Sequence, residues 1–120
     1  MSLCRHDTHA TWAGRAWSAV PVFPLPDGLR VAGVGVAAVG LTDEAAVVVA
    51  LQGTVLHPDA PDGAWASLWT ATLTAAEPAA ARLAEPVWVG TAAWLRWVVA
   101  TLSAPAAGAS LHAVLAGTPG

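Results

Sequence analysis

Short apolar segments separated by turn-forming residues fill residues 47–102 of this chain. They read V-V-V-A-L-Q-G-T-V-L, then the polar H-P-D-A-P-D-G, then A-W-A-S-L-W-T-A-T-L-T, and finally A-W-L-R-W-V-V-A-T-L. Successive side chains of a β-strand point to opposite faces, so a period of two within such segments indicates strands. Turn signals recur along the whole chain at the spacing of about 8–12 residues that is typical of sandwiches and barrels. The sequence predicts an all-β fold, an antiparallel, jelly-roll-like β-sandwich of about seven or eight short strands.

The period of two also predicts which side chains face the core. Within residues 94–102, odd-numbered residues share one face and even-numbered residues the other. The residues that we expect in the core are Leu51, Leu95, Trp97 and Val99. Trp94 and Arg96 then point outward, where they are candidates for contact with a partner. For residues 75–83, Pro78 and the neighbouring strand patterns favour a loop followed by a short strand over a helix.

Residues 1–28 differ from the rest of the chain. The first fifteen are polar and mixed, and Pro21, Pro24 and Pro26 follow within residues 20–28. Closely spaced prolines exclude a helix and a central strand, because proline lacks the backbone N–H that both need. We therefore expect an extended N-terminal arm or edge segment over residues 1–28 and a β-sandwich domain over residues 29–120. Such an arm could reach onto a neighbouring subunit.

The charge pattern excludes several classes of partner. The chain has no lysine, five scattered arginines and a net charge of −3, so it lacks the basic stripe of a nucleic-acid-binding protein.

No apolar run approaches the roughly 18 residues that a membrane helix needs. The start of the chain lacks a signal-peptide pattern, so we expect synthesis in the cytoplasm, with the protein staying inside the cell or leaving it in an assembly. Charged residues make up 11 % of the chain, against about a quarter in typical soluble domains. Either neighbours cover much of the surface, or a GC-rich genome has biased the composition.

No motif for catalysis, metal binding or cofactor binding stands out. Cys4, His6 and His9 have the spacing C-x-H-x-x-H, but they lie in the predicted arm, where no defined structure would hold zinc. There is no G-x-S-x-G nucleophile motif, and the glycines of residues 33–40 do not have the spacing of a dinucleotide loop. Asp59 and Asp62 fit turn chemistry better than a calcium site. We expect no enzyme activity, no catalytic residues, no metal and no cofactor.

Seven tryptophans are the most informative excess in the composition. Each aromatic side chain buries about 150–250 Å², so a domain of this size hides only some of them in its core. The remainder would lie at protein contacts or form platforms for sugar rings, unless all seven are at least half-buried. The platforms would come from Trp65, Trp69, Trp94 or Trp97. The candidate interface residues are Trp12, Trp17, Phe23, Trp94 and Arg96.

Residues 47–115 resemble a family of small β-sandwich structural proteins of tailed bacteriophages, which includes head-decoration and head-fibre-like proteins. Four stretches carry the resemblance: L-Q-G-T at 51–54, D-G-x-W at 62–65 with Leu68 following, W-L-R-W-V-V at 94–99, and S-L-H-A-V-L-A-G at 110–117. The family implies a sandwich fold and a structural role in the virion. It brings no catalytic residues.

The function expected from these observations is that of a non-enzymatic virion protein, specifically a capsid decoration (cement) protein of a tailed phage. It would stabilise the shell through apolar and Trp-rich contacts with the major capsid protein or other virion subunits. A homo-oligomer, with a trimer as the natural form on a shell with local threefold positions, is expected on the capsid surface. The alternatives are a carbohydrate-binding β-sandwich module and a tail- or neck-associated virion protein.

Overall fold

Eight antiparallel strands form two sheets in a computed structural model of the chain, which describes residues 3–18, 20–42, 44–74 and 80–119. The strands are β1 (Cys4–Thr11), β2 (Val22–Pro24), β3 (Val31–Val39), β4 (Ala46–Thr54), β5 (Ala66–Thr74), β6 (Ala80–Trp88), β7 (Trp94–Ser103) and β8 (Ser110–Gly117). Sheet A has the order β1-β8-β3-β6, and sheet B has the order β2-β7-β4-β5. A short 3₁₀ turn (Asp62–Ala64) precedes β5. No helix long and apolar enough to cross a membrane occurs in the described ranges.

The pairing of the strands is nested. β4 pairs with β5, β3 with β6, β2 with β7 and β1 with β8, all antiparallel, and successive pairs alternate between the two sheets. One long hairpin folded over itself in this way gives the eight-stranded jelly roll. The predicted all-β antiparallel sandwich is confirmed.

The described part of residues 1–28 lies within the sandwich. β1 pairs with β8 over eight residues, and β2 pairs with β7 over three, so these strands form one edge of each sheet. Both are extended edge strands, and Pro24 lies at an edge, as its missing N–H requires. The ladder hydrogen bonds of β1 and β2 are made within the same chain. The division into two units at residue 28 stays a prediction.

Alternation along the central strands builds the core between the sheets. Val47, Val49 and Leu51 of β4 are fully buried, and the residues between them are only half-buried. Leu95 and Trp97 of β7 are buried in the same cluster, as predicted, whereas Val99 is partly buried and packs against it. The facing residues of sheet A come from β3 and β8: Ala32, Val34, Val36, Ala38, Leu111, Ala113 and Leu115.

The edge strand β6 contains a bulge. Ala32 pairs with Val87 but Val34 pairs with Ala84, so β6 has one residue more than β3 over this interval. Pro86 lies in the bulge, where the ladder hydrogen bond that proline cannot donate is not needed. The sequence predicts a loop followed by a short strand over residues 75–83. The strand instead continues to Trp88, and residues 75–79 lie outside the described ranges.

Leu51→Ala is expected to lower the free energy of unfolding by about 2–5 kcal/mol, because it leaves a cavity at a fully buried position. The matched control is Leu102→Ala, since Leu102 is 66 % exposed and its truncation should change stability by less than about 0.5 kcal/mol. Urea denaturation followed by circular dichroism measures both values. Equal losses in the two variants would contradict the assignment of Leu51 to the core.

Candidate interaction surfaces

The outer face of sheet A is apolar along its central strands. Every residue of β3 is Val, Ala or Gly, so both faces of this strand are apolar. Its outward side chains are Val31, Gly33, Gly35, Ala37 and Val39, and those of β8 include Val114 and Ala116. We call the outward surface of β3, β6 and β8 the apolar face.

An open groove of about 1150 Å³ follows the apolar face. Gly33, Gly35 and Ala37 form its low floor, and Leu83 and Trp88 of β6 rise beside them. Leu83 is 87 % exposed and Trp88 52 % exposed. Leu3, Val31 and Val39 are also exposed, so five of the eight exposed large hydrophobic side chains of the described residues lie on or next to sheet A. Exposed apolar side chains concentrated on one surface mark an interaction site in soluble proteins.

The missing side chain of Gly35 determines where Leu83 lies. Gly35 and Leu83 are directly paired across β3 and β6. A Cβ atom at Gly35 would lie 2.7 Å from Leu83 Cδ2, which is closer than two non-bonded carbon atoms approach. Leu83 therefore occupies the space that a side chain at position 35 would need. The groove is therefore shallow and broad, bordered by an apolar ridge.

Charged side chains border the groove on the β1 side. Arg5 Nε donates a hydrogen bond to Asp7 Oδ2 (2.9 Å), and His112 Nε2 lies 3.0 Å from Asp7 Oδ1. The imidazole rings of His9 and His112, which are paired across β1 and β8, stack at 4.1 Å between centroids. The hydrogen bonds from Arg5 and then His112 stabilise the charged carboxylate and lower the pKa of Asp7 to about 2. Positive and negative groups are thus paired locally along this border.

A second polar cluster lies on the outer face of sheet B. Arg96 Nε donates to Gln52 Oε1 (2.9 Å), and Arg96 Nη1 lies 3.3 Å from Asp62 Oδ1. The guanidinium carbon also lies 4.4 Å from the centroid of a Trp65 ring, within the range of a cation–π interaction. Trp65 in turn donates its indole N–H to the carbonyl of Ala60 (3.0 Å). Arg96 thus ties the loop before β5 to the face of β7.

The five predicted interface residues do not form one surface. Phe23 is 4 % exposed and belongs to the core, where it stacks on His6 with 3.6 Å between ring centroids. Trp12 is also buried, beside Trp17 at 5.7 Å between centroids. In this conformation Phe23 and Trp12 offer almost no surface to a partner, because the strand pairing of residues 4–24 carries them into the sandwich. Trp17, Trp94 and Arg96 are partly exposed.

The proposed sugar platforms are poorly placed. Trp65 and Trp97 are buried, and the partly buried Trp69 meets Trp97 edge to face at 87°, with 6.4 Å between centroids. Arg96 covers the face of Trp65. Trp88, which sequence reasoning did not select, is the one tryptophan among the described residues that is largely exposed.

Sequence reasoning missed Leu83 and Trp88 because it ended the local strand pattern around a proline. The sequence of β3 does contain a signal for an apolar outer face. An antiparallel strand with one solvated face alternates apolar and polar residues, whereas a strand covered on both faces reads as a continuous apolar run. The run V-A-G-V-G-V-A-A-V predicts that the outward face of β3 is apolar as well.

Groups typical of metal or catalytic sites are dispersed. The alternation of β1 separates Cys4 and His6 from Asp7 and His9, which lie on the other face of the strand. Burial is the main cause that lowers the pKa of His6. Across the described ranges, no three His, Cys, Asp or Glu side chains come together in a way that could hold a metal ion.

No protein-family model matches the chain, and no curated protein matches it.

Arg96→Ala is expected to lower the free energy of unfolding by about 1–3 kcal/mol, since it removes a charge-assisted hydrogen bond and the contact with Trp65. Asp62→Ala removes only the partner that is 96 % exposed and should cost less than about 0.5 kcal/mol. Urea denaturation of both variants measures the difference. A loss in Asp62→Ala as large as in Arg96→Ala would show that the ion pair, and not the Gln52 and Trp65 contacts, fixes Arg96.

Arg5→Gln is expected to raise the pKa of Asp7 from about 2 towards its ordinary value. The folded pKa lies below that of an unfolded chain, so the charged carboxylate stabilises the fold at neutral pH, and this contribution is lost as the pH falls from about 4 towards 2. In Arg5→Gln, the stability lost over this pH range should be smaller. Carboxyl ¹³C NMR titration measures the pKa. Arg15→Gln, which removes the same charge from a residue that does not act on Asp7, should leave the value unchanged.

Proposed function

We propose that this protein is a non-enzymatic structural subunit of a virion, and specifically a decoration protein on the capsid of a tailed phage. The observation that carries the proposal is the apolar face of sheet A, with Leu83 and Trp88 exposed on a rigid sandwich. Such a surface is costly to leave in water and is stabilised by burial in an assembly. Jelly rolls are a recurrent fold of viral capsid proteins, which agrees with the sequence resemblance.

The mechanism in this proposal is mechanical. The subunit is a flat slab with Cα extents of 41 × 31 × 17 Å, stiffened by two hydrogen-bonded sheets. A slab of this kind can lie across the boundary between capsid subunits and resist their separation through contacts on its broad faces. On sheet B the partly exposed Trp94 and Arg96 offer a mixed apolar and cationic contact to the major capsid protein or another virion subunit. Arginine and tryptophan are enriched at such contacts.

Two alternatives differ from this proposal in the partner. A carbohydrate-binding module needs exposed tryptophan faces, and the candidates other than Trp94 are buried or covered by neighbours. A tail- or neck-associated virion protein would use the same surfaces as a decoration protein, but in far fewer copies per particle. Copy number therefore separates the two virion roles.

The test is to purify particles of the phage whose genome carries this sequence and to quantify the protein by mass spectrometry against the major capsid protein. We expect a copy number of the same order as that of the major capsid protein, because decoration proteins cover the shell. Removing the protein should lower the temperature at which heads release DNA, and adding it back should restore that temperature.

Three results would argue against capsid decoration. A few copies per particle would indicate the tail or neck. Absence from purified particles would contradict a virion role altogether. If that absence were accompanied by a glycan-induced shift in tryptophan fluorescence, the carbohydrate-binding alternative would replace the proposal.

A further inference from the structure

We propose that a second copy of this chain packs on the apolar face, so that two sheets A stack face to face across a twofold axis. The proposal names an occupant for the surface formed by β3, β6 and β8. It concerns self-association and does not rest on the virion role: in a decoration protein the dimer would bury the apolar face and leave sheet B, with Trp94 and Arg96, for the capsid.

The shape of the groove favours a flat macromolecular partner over a small ligand. Pockets for small molecules enclose most of the ligand, typically about 70–90 % of its surface. The groove here is open along the sheet, with a floor of Gly33, Gly35 and Ala37 and a ridge on one side only. An extended apolar face of this kind is suited to sheet-on-sheet packing, in which side chains of two faces interdigitate at a separation of about 10 Å.

The size of the face is sufficient for a specific dimer. β3 and β6 have nine residues each, which gives a length of about 30 Å. The apolar face and the β1 border together span the four strands of sheet A, and a spacing of about 4.8 Å gives a width of about 19 Å, so this outer face covers roughly 600 Å² before side-chain relief is counted. Two stacked copies would bury roughly 1,200 Å² in total, which is the lower end of the range for specific interfaces.

The charge distribution is compatible with an identical partner. A twofold interface brings the same surface of both copies together, so a face with unbalanced charge would repel itself. The outward residues of β3 are all uncharged, and on the β1 border Asp7 is paired with both Arg5 and His112. At the other end Arg30 lies at the rim, exposed to solvent. Among the described side chains of this face, a partner of opposite charge would find no charged patch to recognise.

The composition of β3 provides the independent sequence argument. In an antiparallel sandwich the inner face of a strand is buried by the opposite sheet, and the outer face is usually polar. β3 is apolar at all nine positions, and only burial on both sides makes this composition favourable. The inner positions are covered by sheet B, so the outer positions require a second cover.

The experiment compares the mass of the full-length protein with that of two matched variants by sedimentation equilibrium. We expect the unaltered protein to form a dimer, twice the mass of the 12.1 kDa chain. Leu83→Gln should raise the dimer dissociation constant at least tenfold, because Leu83 lies on the ridge of the apolar face. Leu102→Gln makes the same chemical change at an exposed position on sheet B and should change the constant by less than twofold. Circular dichroism confirms that both variants are folded.

Trp88→Ser is a second variant on the same ridge and is expected to weaken the dimer as Leu83→Gln does. A monomeric unaltered protein at millimolar concentration would overturn the proposal, as would a trimer, which no single twofold interface can build. A dimer that Leu83→Gln, Trp88→Ser and Leu102→Gln leave equally tight would also overturn it, because the contact would then lie elsewhere. None of these results bears on the copy number in particles, so the capsid role and the dimer can fail separately.

Discussion

Strand alternation is the constraint on which the rest of this structure depends. Each strand of a two-sheet sandwich points half of its side chains inward and half outward. The same strand sequence therefore determines both the core and the outer face of its sheet. In β4 and β7 the inward set, which includes Val49, Leu51, Leu95 and Trp97, forms the centre of the core. The outward set of the same strands contains Gln52 and Arg96, whose hydrogen bond makes that part of sheet B compatible with water. Sheet A has no comparable polar pair on β3.

The outer faces of the two sheets differ in how their side chains meet water. On sheet B, the guanidinium of Arg96 lies over Trp65 and covers part of its aromatic surface, and it is hydrogen-bonded to Gln52 and ion-paired with Asp62. On sheet A, the outward positions of β3 carry two glycines and an alanine between two valines, so they bring no polar group. Leu83 fills part of the resulting groove and remains 87 % exposed. The scarcity of charged side chains in this chain therefore affects mainly the outer face of sheet A.

Much of the fold could be predicted from sequence, and less of the candidate site. The strands of residues 31–54 and 94–117 and the inward positions of Leu51, Leu95 and Trp97 followed from a local period of two. The pairing of β1 with β8 did not follow from this period, because the polar sequence of residues 4–11 has no apolar alternation. The two strands are also far apart in the sequence. Phe23 was assigned to an interface for a similar reason, since the pairing of β2 with β7, which carries it into the core, also joins distant parts of the chain. Leu83 and Trp88 were missed because a bulge at Pro86 lets the edge strand continue past a residue that normally ends one.

The bulge links this local irregularity to the character of the apolar face. A one-residue change in register reverses the face to which every later side chain points. In β6 the additional residue between Val87 and Ala84 allows Val87 and Ala84 both to face the core, while Leu83 and Trp88 both point outward. Without the bulge, the strand could not place Leu83 opposite Gly35 and Trp88 opposite Val31 on the same outer face. The ridge of the groove thus depends on the irregularity at Pro86 as much as on the apolar composition of β3, because a single additional residue in the edge strand brings Leu83 and Trp88 to the same outer face.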